Sequence, residues 1–206
     1  DKNINSNIIL KSTVTPDNLL HLKKSMEFIY NPEFLREKSA NSDFINGNII
    51  LFGGSNNLCE EASNFYINYT LCKEKKHFIT DLVTASLVKY TINSFLATKV
   101  IYFNQLKSLL DLSNSEESWE NFIKIVSSDN RIGNSHMDVP GHDGRKGFGG
   151  ACFPKDISAL ESFANDKDFN FSLISEVIKV NNQIRSVYND LTLRESEQNI
   201  TFKEEK

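Results

Sequence analysis

Residues Thr80 to Leu110 read TDLVTASLVKYTINSFLATKVIYFNQLKSLL. Val83, Leu87, Tyr90, Ile92, Phe95 and Leu96 fall at helical spacing and form a broad apolar stripe, which predicts a helix from about Thr80 to Leu110 serving as a central spine. Asn114-Ser115 ends it, and Trp119, Phe122, Ile123 and Val126 mark the next helix, with Trp119 read as core packing. Two amphipathic helices are predicted at roughly Asp156 to Asn165 and Leu173 to Asp190, followed by a polar and disordered tail. From Leu58 onward the pattern reads as helical throughout.

Upstream of the spine the signals change. Ile8 to Val14 is apolar and β-branched and runs into Thr15-Pro16-Asp17, a strand followed by a helix that carries proline in its first turn and continues to about Lys24. Phe28-Ile-Tyr, Asn31-Pro32-Glu33 and Asn48 to Phe52, closed by Gly53-Gly54, read as two more short strands around a loop or short helix. This is the pattern of the last third of an α/β sheet.

The 206 residues, 39% of them hydrophobic, are enough for a packed core. A formal charge of −4, with 23 basic residues scattered among 27 acidic ones, argues against a nucleic-acid surface. No apolar run approaches the length of a membrane span, and DKNINSN is not a signal leader, so a cytoplasmic protein without membrane attachment is expected. Cys59, Cys72 and Cys152 are odd in number and lack CxxC spacing, which favours free thiols in a reducing compartment over disulfides or zinc.

Gly147 to Asp156 reads GFGGACFPKD. Five of the nine glycines (141, 144, 147, 149 and 150) lie within ten residues, so this loop needs unusual backbone angles or a close approach to something. Cys152 sits between that loop and a helix start, flanked by small residues, and is better suited to attacking a carbonyl than to filling a core. Asp156, four residues on, reads either as a proton acceptor beside the thiol or as the N-cap of the helix. Glu33 and Glu37 would share one face of a helix capped by Asn31, by function or only to suit the helix dipole. Lys89 and Asn93 are also four apart and offer an ammonium and an amide to an oxygen gaining charge, unless they form a solvated face. Arg131, beside turn residues, reads as a grip for a sugar or phosphate or as a solvent-facing side chain. His136 and His142 lack the spacing of metal ligands. No GxGxxG follows a strand, so any dinucleotide site here is partial.

KSTV at Lys11 to Val14, NPEFLRE at Asn31 to Glu37, LVKYTINSFLATK at Leu87 to Lys99, RIG at Arg131 to Gly133 and GFGGACFPKD occur in this order. Together they resemble the middle portion of the UDP-glucose 6-dehydrogenase family, over roughly Ile8 to Asn182. The setting of Phe148 and Phe153 is more similar to that branch than to the GDP-mannose and UDP-N-acetylmannosamine dehydrogenases.

The resemblance implies an α/β remnant of a Rossmann-type dinucleotide-binding sheet over residues 1–55. It also implies an all-α central dimerisation domain over 56–193, with a long spine helix, and a polar tail over 194–206. It implies oxidation of UDP-glucose to UDP-glucuronate with NAD through a cysteine thiohemiacetal and thioester, in a homodimer paired through the helical domain. On this resemblance Cys152 is the nucleophile, Lys89 and Asn93 stabilise oxyanions, and Asp156, Glu33 and Thr13 handle protons and the hydrolytic water. Phe34, Leu35, Arg131, Phe148 and Gly149 would contact the sugar nucleotide, while Ser12, Thr13, Glu37, Cys152 and Lys155 would contact NAD. A glycine-rich βαβ unit is expected ahead of residue 1 and a UDP-binding α/β domain after the last helix. Ser86 departs from the pattern, since relatives usually carry an acid there. Two rival expectations are a catalytically silent dimerisation module and a cysteine hydrolase that takes its base from His136 or His142.

Overall fold

The computed structural model describes residues 6–35, 39–72 and 75–202. Among the described residues four strands and eight helices follow one another as β1 (Ile9–Leu10), α1 (Pro16–Lys23), β2 (Ile29–Tyr30), α2 (Ala40–Asn46), β3 (Ile49–Gly53), α3 (Asn56–Tyr69), β4 (Lys76–Thr80), α4 (Leu82–Leu112), α5 (Trp119–Ser127), α6 (Phe153–Asn165), α7 (Ser172–Arg185) and α8 (Leu193–Glu197). They form two compact units, residues 1–91 and 92–206, and α4 runs through the division.

In the first unit the strands lie in the order β1-β2-β3-β4. β1 is parallel to β2, β2 antiparallel to β3, and β3 parallel to β4. Side chains alternate across a strand, so neighbouring apolar residues serve two different cores. Ile29, Ile50 and Phe52 pack with Cys59, Ala62 and Tyr66 of α3. Phe28, Tyr30 and Leu51 pack with Leu19 of α1 and with Leu82 and Ala85 at the start of α4. Burial pushes the Cys59 thiol above its ordinary range, as expected for a core cysteine.

Two expectations fail in this unit. The region after Leu58 is not all helical, because Lys76–Thr80 pairs with β3 along its whole length and carries the sheet past residue 55. Asn31 does not cap a helix either: residues 31–35 are irregular. Asn31 is instead drawn into the sheet, 3% exposed, where its amide donates to the Leu51 carbonyl at 2.9 Å. Glu37 lies outside the described residues.

The second unit is helical. Ala97 and Ile101 of α4 pack with Phe148, with Ile157 of α6, and with Ile174 and Val177 of α7. Trp119 closes a smaller cluster with Phe103, Met137 and Val139, and its indole donates to the Met137 carbonyl at 3.1 Å. Core packing is therefore the role of Trp119, as the sequence indicates. The segment after Leu193 is not a disordered polar tail through Glu197. α8 starts in a capping box between Thr192 and Glu195, and Glu195 is fully buried.

Candidate active site

Within residues 92–206 an exposed thiol, Cys152, stands at the N-cap of α6. The loop before it is held by buried side chains. Gly147 N–H donates to Asn104 Oδ1 at 2.9 Å, Phe148 N–H donates to Asn181 Oδ1 at 2.7 Å, and the Asn181 amide donates back to the Phe148 carbonyl at 3.0 Å. Asn104 and Asn181 are 3% and 1% exposed. Gly147 has φ of 74°, and a Cβ there would sit 2.7 Å from Asn181 Oδ1, so both conformation and space demand glycine. The Phe148 ring is buried in the core while its backbone carries these bonds.

Asp156 is not the N-cap, because Cys152 takes that position and accepts the Asp156 N–H at 2.9 Å. That places thiol and carboxylate one helical turn apart. Asp156 is 2% exposed, accepts from the Asn93 amide at 2.5 Å and pairs with the Lys155 ammonium at 2.8 Å. An asparagine amide carries two N–H donors, and Asp156 uses one of them. Cys152, Asp156, Asn93 and Lys155 are thus one group: a thiol, a carboxylate, an amide and an ammonium.

Residues 1–91 hold a second group. Ser12 is exposed and Thr13 half-buried in the loop leaving the carboxyl end of β1, the end of a parallel strand where α/β sheets bind ligands. Ser86, buried on α4, donates to the Val14 carbonyl at 2.7 Å and ties that loop to the helix. Glu33 pairs with Lys11 at 3.0 Å. Lys11 also donates to Asn31 Oδ1 at 3.0 Å and to the Tyr66 hydroxyl at 3.3 Å. Glu33, Phe34 and Leu35 line a cavity of about 100 Å³ with Lys11, Phe44 and Lys75. Lys89, 6% exposed, lies with its ammonium 5.5 Å from the centroid of the Phe34 ring. Lys89 and Asn93 occupy successive turns of α4, and neither is a solvated face, since Asn93 is only 7% exposed.

Arg131 stands apart on an exposed turn, gripping Asp129 with Nε at 3.0 Å and Nη2 at 2.5 Å. This pairing holds the Asp129 carboxyl below its usual range. Among the described residues no group of three His, Cys, Asp or Glu is arranged to hold a metal ion, and no helix is long and apolar enough to cross a membrane. Sequence reasoning missed the groups that hold the two loops: Asn104, Asn181, Arg185 and Glu195 in one unit, Asn31 and Tyr66 in the other.

Residues 83–183 match the central domain of the UDP-glucose/GDP-mannose dehydrogenase family. The UDP-glucose 6-dehydrogenase of Rickettsia felis is 38% identical over 183 residues, covering 85% of this chain and 39% of that protein. Residues 83–183 carry the central domain of this family, and the chain is similar to its members over most of its length. A second relative, the UDP-glucose 6-dehydrogenase of Campylobacter jejuni, is 32% identical over 204 residues, covering 97% of this chain and 49% of that protein. The structure of a UDP-glucose dehydrogenase from the hyperthermophilic archaeon Pyrobaculum islandicum superposes with a TM-score of 0.71 at 27% identity, over 85% of this chain and 41% of that one. The chain therefore spans between about two fifths and half of the length of these dehydrogenases.

Proposed function

We propose that this chain carries the central, bond-forming part of an NAD-dependent dehydrogenase that oxidises UDP-glucose to UDP-glucuronate. The observation that supports this most is the group around Cys152: an exposed thiol at a helix start, one turn from a buried carboxylate that is hydrogen-bonded to Asn93. The hydroxyls of Ser12 and Thr13 at the carboxyl end of β1 fit the nicotinamide end of NAD, and Lys155 and Glu37 complete the proposed contacts. NAD, when bound, would supply the acceptor for the hydride lost from the sugar C6 in each of two oxidations.

The chain's own residues do the rest. Cys152 Sγ bonds to the C6 carbon of the aldehyde, and the thiol proton passes to the oxygen side as the thiohemiacetal forms. Lys89 and the amide of Asn93 oppose the negative charge on that oxygen. Once C6 is at the thioester level, Asp156 takes a proton from water, and the family resemblance gives Glu33 and Thr13 proton- and water-handling roles as well. The oxygen of the water then replaces sulfur, releasing carboxylate and restoring the thiol. The proposed sugar-nucleotide contacts are Phe34 and Leu35 in one unit and Phe148 and Gly149 in the other, and Arg131 reaches a neighbouring subunit's substrate.

We further propose a homodimer paired along α4. Phe95, Tyr102 and Leu109 recur every seven residues on that helix, 65%, 60% and 59% exposed, with Leu112 at 80% beyond them. This stripe equally supports a second reading, a catalytically silent dimerisation module. Three free thiols fit a cytoplasmic setting. Coenzyme reduction on adding UDP-glucose, run beside Cys152→Ala, separates the two readings. The enzyme reading expects reduction that the variant abolishes, and dimerisation without reduction in either protein supports the module.

A further inference from the structure

Beyond the groups that do chemistry, a buried ion cluster joins the chain's last helix to the loop in front of Cys152. Arg185, at the end of α7, is 1% exposed, and Glu195 of α8 is 0% exposed. Arg185 Nη2 donates to Glu195 Oε1 in a short ion pair, and Nη1 donates to Asp143 Oδ2 at 2.8 Å. Glu195 Oε1 also accepts the Gly150 N–H at 3.3 Å, two residues before the thiol, while Oε2 accepts the Thr192 N–H at 2.7 Å. Phe202, further along the same end of the chain, lies with its ring centroid 5.3 Å from the Arg185 guanidinium. A Cβ on Gly149 would collide with both Glu195 and Arg185, so the loop backbone lies directly against the pair.

One cation thus stands between two carboxylates from different segments, one from the glycine-rich loop and one from α8. A surface tail would leave its glutamate in water. Burying the carboxylate is costly unless its partners are in place, so α8 docks only with the loop in register, and the loop in turn is held while α8 is docked.

We propose that Glu195 is a positioning residue for the nucleophile: through Arg185 and the Gly150 N–H, it fixes the backbone that presents Cys152. This rests on reading Cys152 as the reactive thiol, but the test needs no turnover, so failure of the positioning and failure of the chemistry are told apart. Amide hydrogen exchange of the full chain is compared between wild type and Glu195→Gln, which keeps the volume and removes the charge. A nitroxide on Cys152, the exposed cysteine, reports the same loop independently, since Cys59 and Cys72 are buried. The expected result is exchange at Gly150 and its neighbours about tenfold faster or more, with a more mobile nitroxide spectrum and unchanged exchange in α5. Unchanged Gly150 exchange, or an equal rise across residues 92–206, overturns the proposal. Should Glu195→Gln fail to fold, Thr192→Ala decides. It weakens the cap that presents Glu195, and it must raise exchange at the same amides by a smaller factor; no rise there also overturns the proposal.

Discussion

Two loops carry the candidate chemistry, and they are held in opposite ways. The loop before Cys152 is fixed by Asn104, Asn181, Arg185 and Glu195, all 3% exposed or less. In the other loop Asn31 is buried, but the Glu33 side chain itself is held by an ion pair with Lys11 in which both side chains are more than a third exposed. Buried hydrogen bonds are expensive to lose because the partner left behind cannot turn to water, while exposed ion pairs contribute little. The difference suits the proposed roles: a sulfur that must bond to one carbon needs a fixed backbone, whereas a carboxylate that hands protons to water tolerates looser placement.

Breaking the tight loop is expected to have the largest effect. Asn181→Leu strips Phe148 of partners for both its N–H and its carbonyl, and should cost about 2 to 5 kcal/mol in denaturant unfolding. Gly147→Ala comes next, at about 1 to 3 kcal/mol, from the positive φ and the approach to Asn181.

Acid sharpens the contrast further. Burial pushes Glu195 up, but the Thr192 backbone and hydroxyl, Arg185 and the Gly150 N–H outweigh it, leaving the carboxyl below its ordinary 4.5. Asp143 likewise sits below its ordinary 3.8, with burial opposed by Arg185 and the Arg145 N–H. A carboxyl lowered in the folded state adds stability that is complete above its unfolded value and is lost as pH falls through its folded one. The thermal midpoint should therefore drop as pH falls below these ordinary values, and Glu195→Gln should flatten part of that drop. A drop of equal steepness in the variant would break the assignment. The smallest change belongs to the exposed ion pair, where Glu33→Gln is expected to alter unfolding free energy by less than about 1 kcal/mol.

Much of the fold is legible in the sequence because it rests on periodicity. The apolar stripe sets the spine helix to within two residues at each end, Leu82–Leu112 against Thr80 to Leu110. β4 is not legible, since Phe78 and Ile79 remain 48% and 37% exposed and the strand is held by backbone pairing rather than by an alternating apolar face. Asn31-Pro32-Glu33 imitates a helix start, but the asparagine is claimed by the Leu51 carbonyl, a partner twenty residues away. Glu195 looks like a solvated charge for a similar reason. Its cation lies ten residues back, beyond any helical spacing that a sequence displays. Cys152 and Asp156, by contrast, are legible as a pair because one helical turn joins them.

The central claim is that the thiol presented by this loop bonds to the oxidised sugar carbon. Native mass spectrometry of the chain mixed with the C6 aldehyde of UDP-glucose tests it directly. The account predicts one aldehyde mass added per chain, absent in Cys152→Ala. No added mass on the unmodified chain, or an equal addition to the variant, would contradict it.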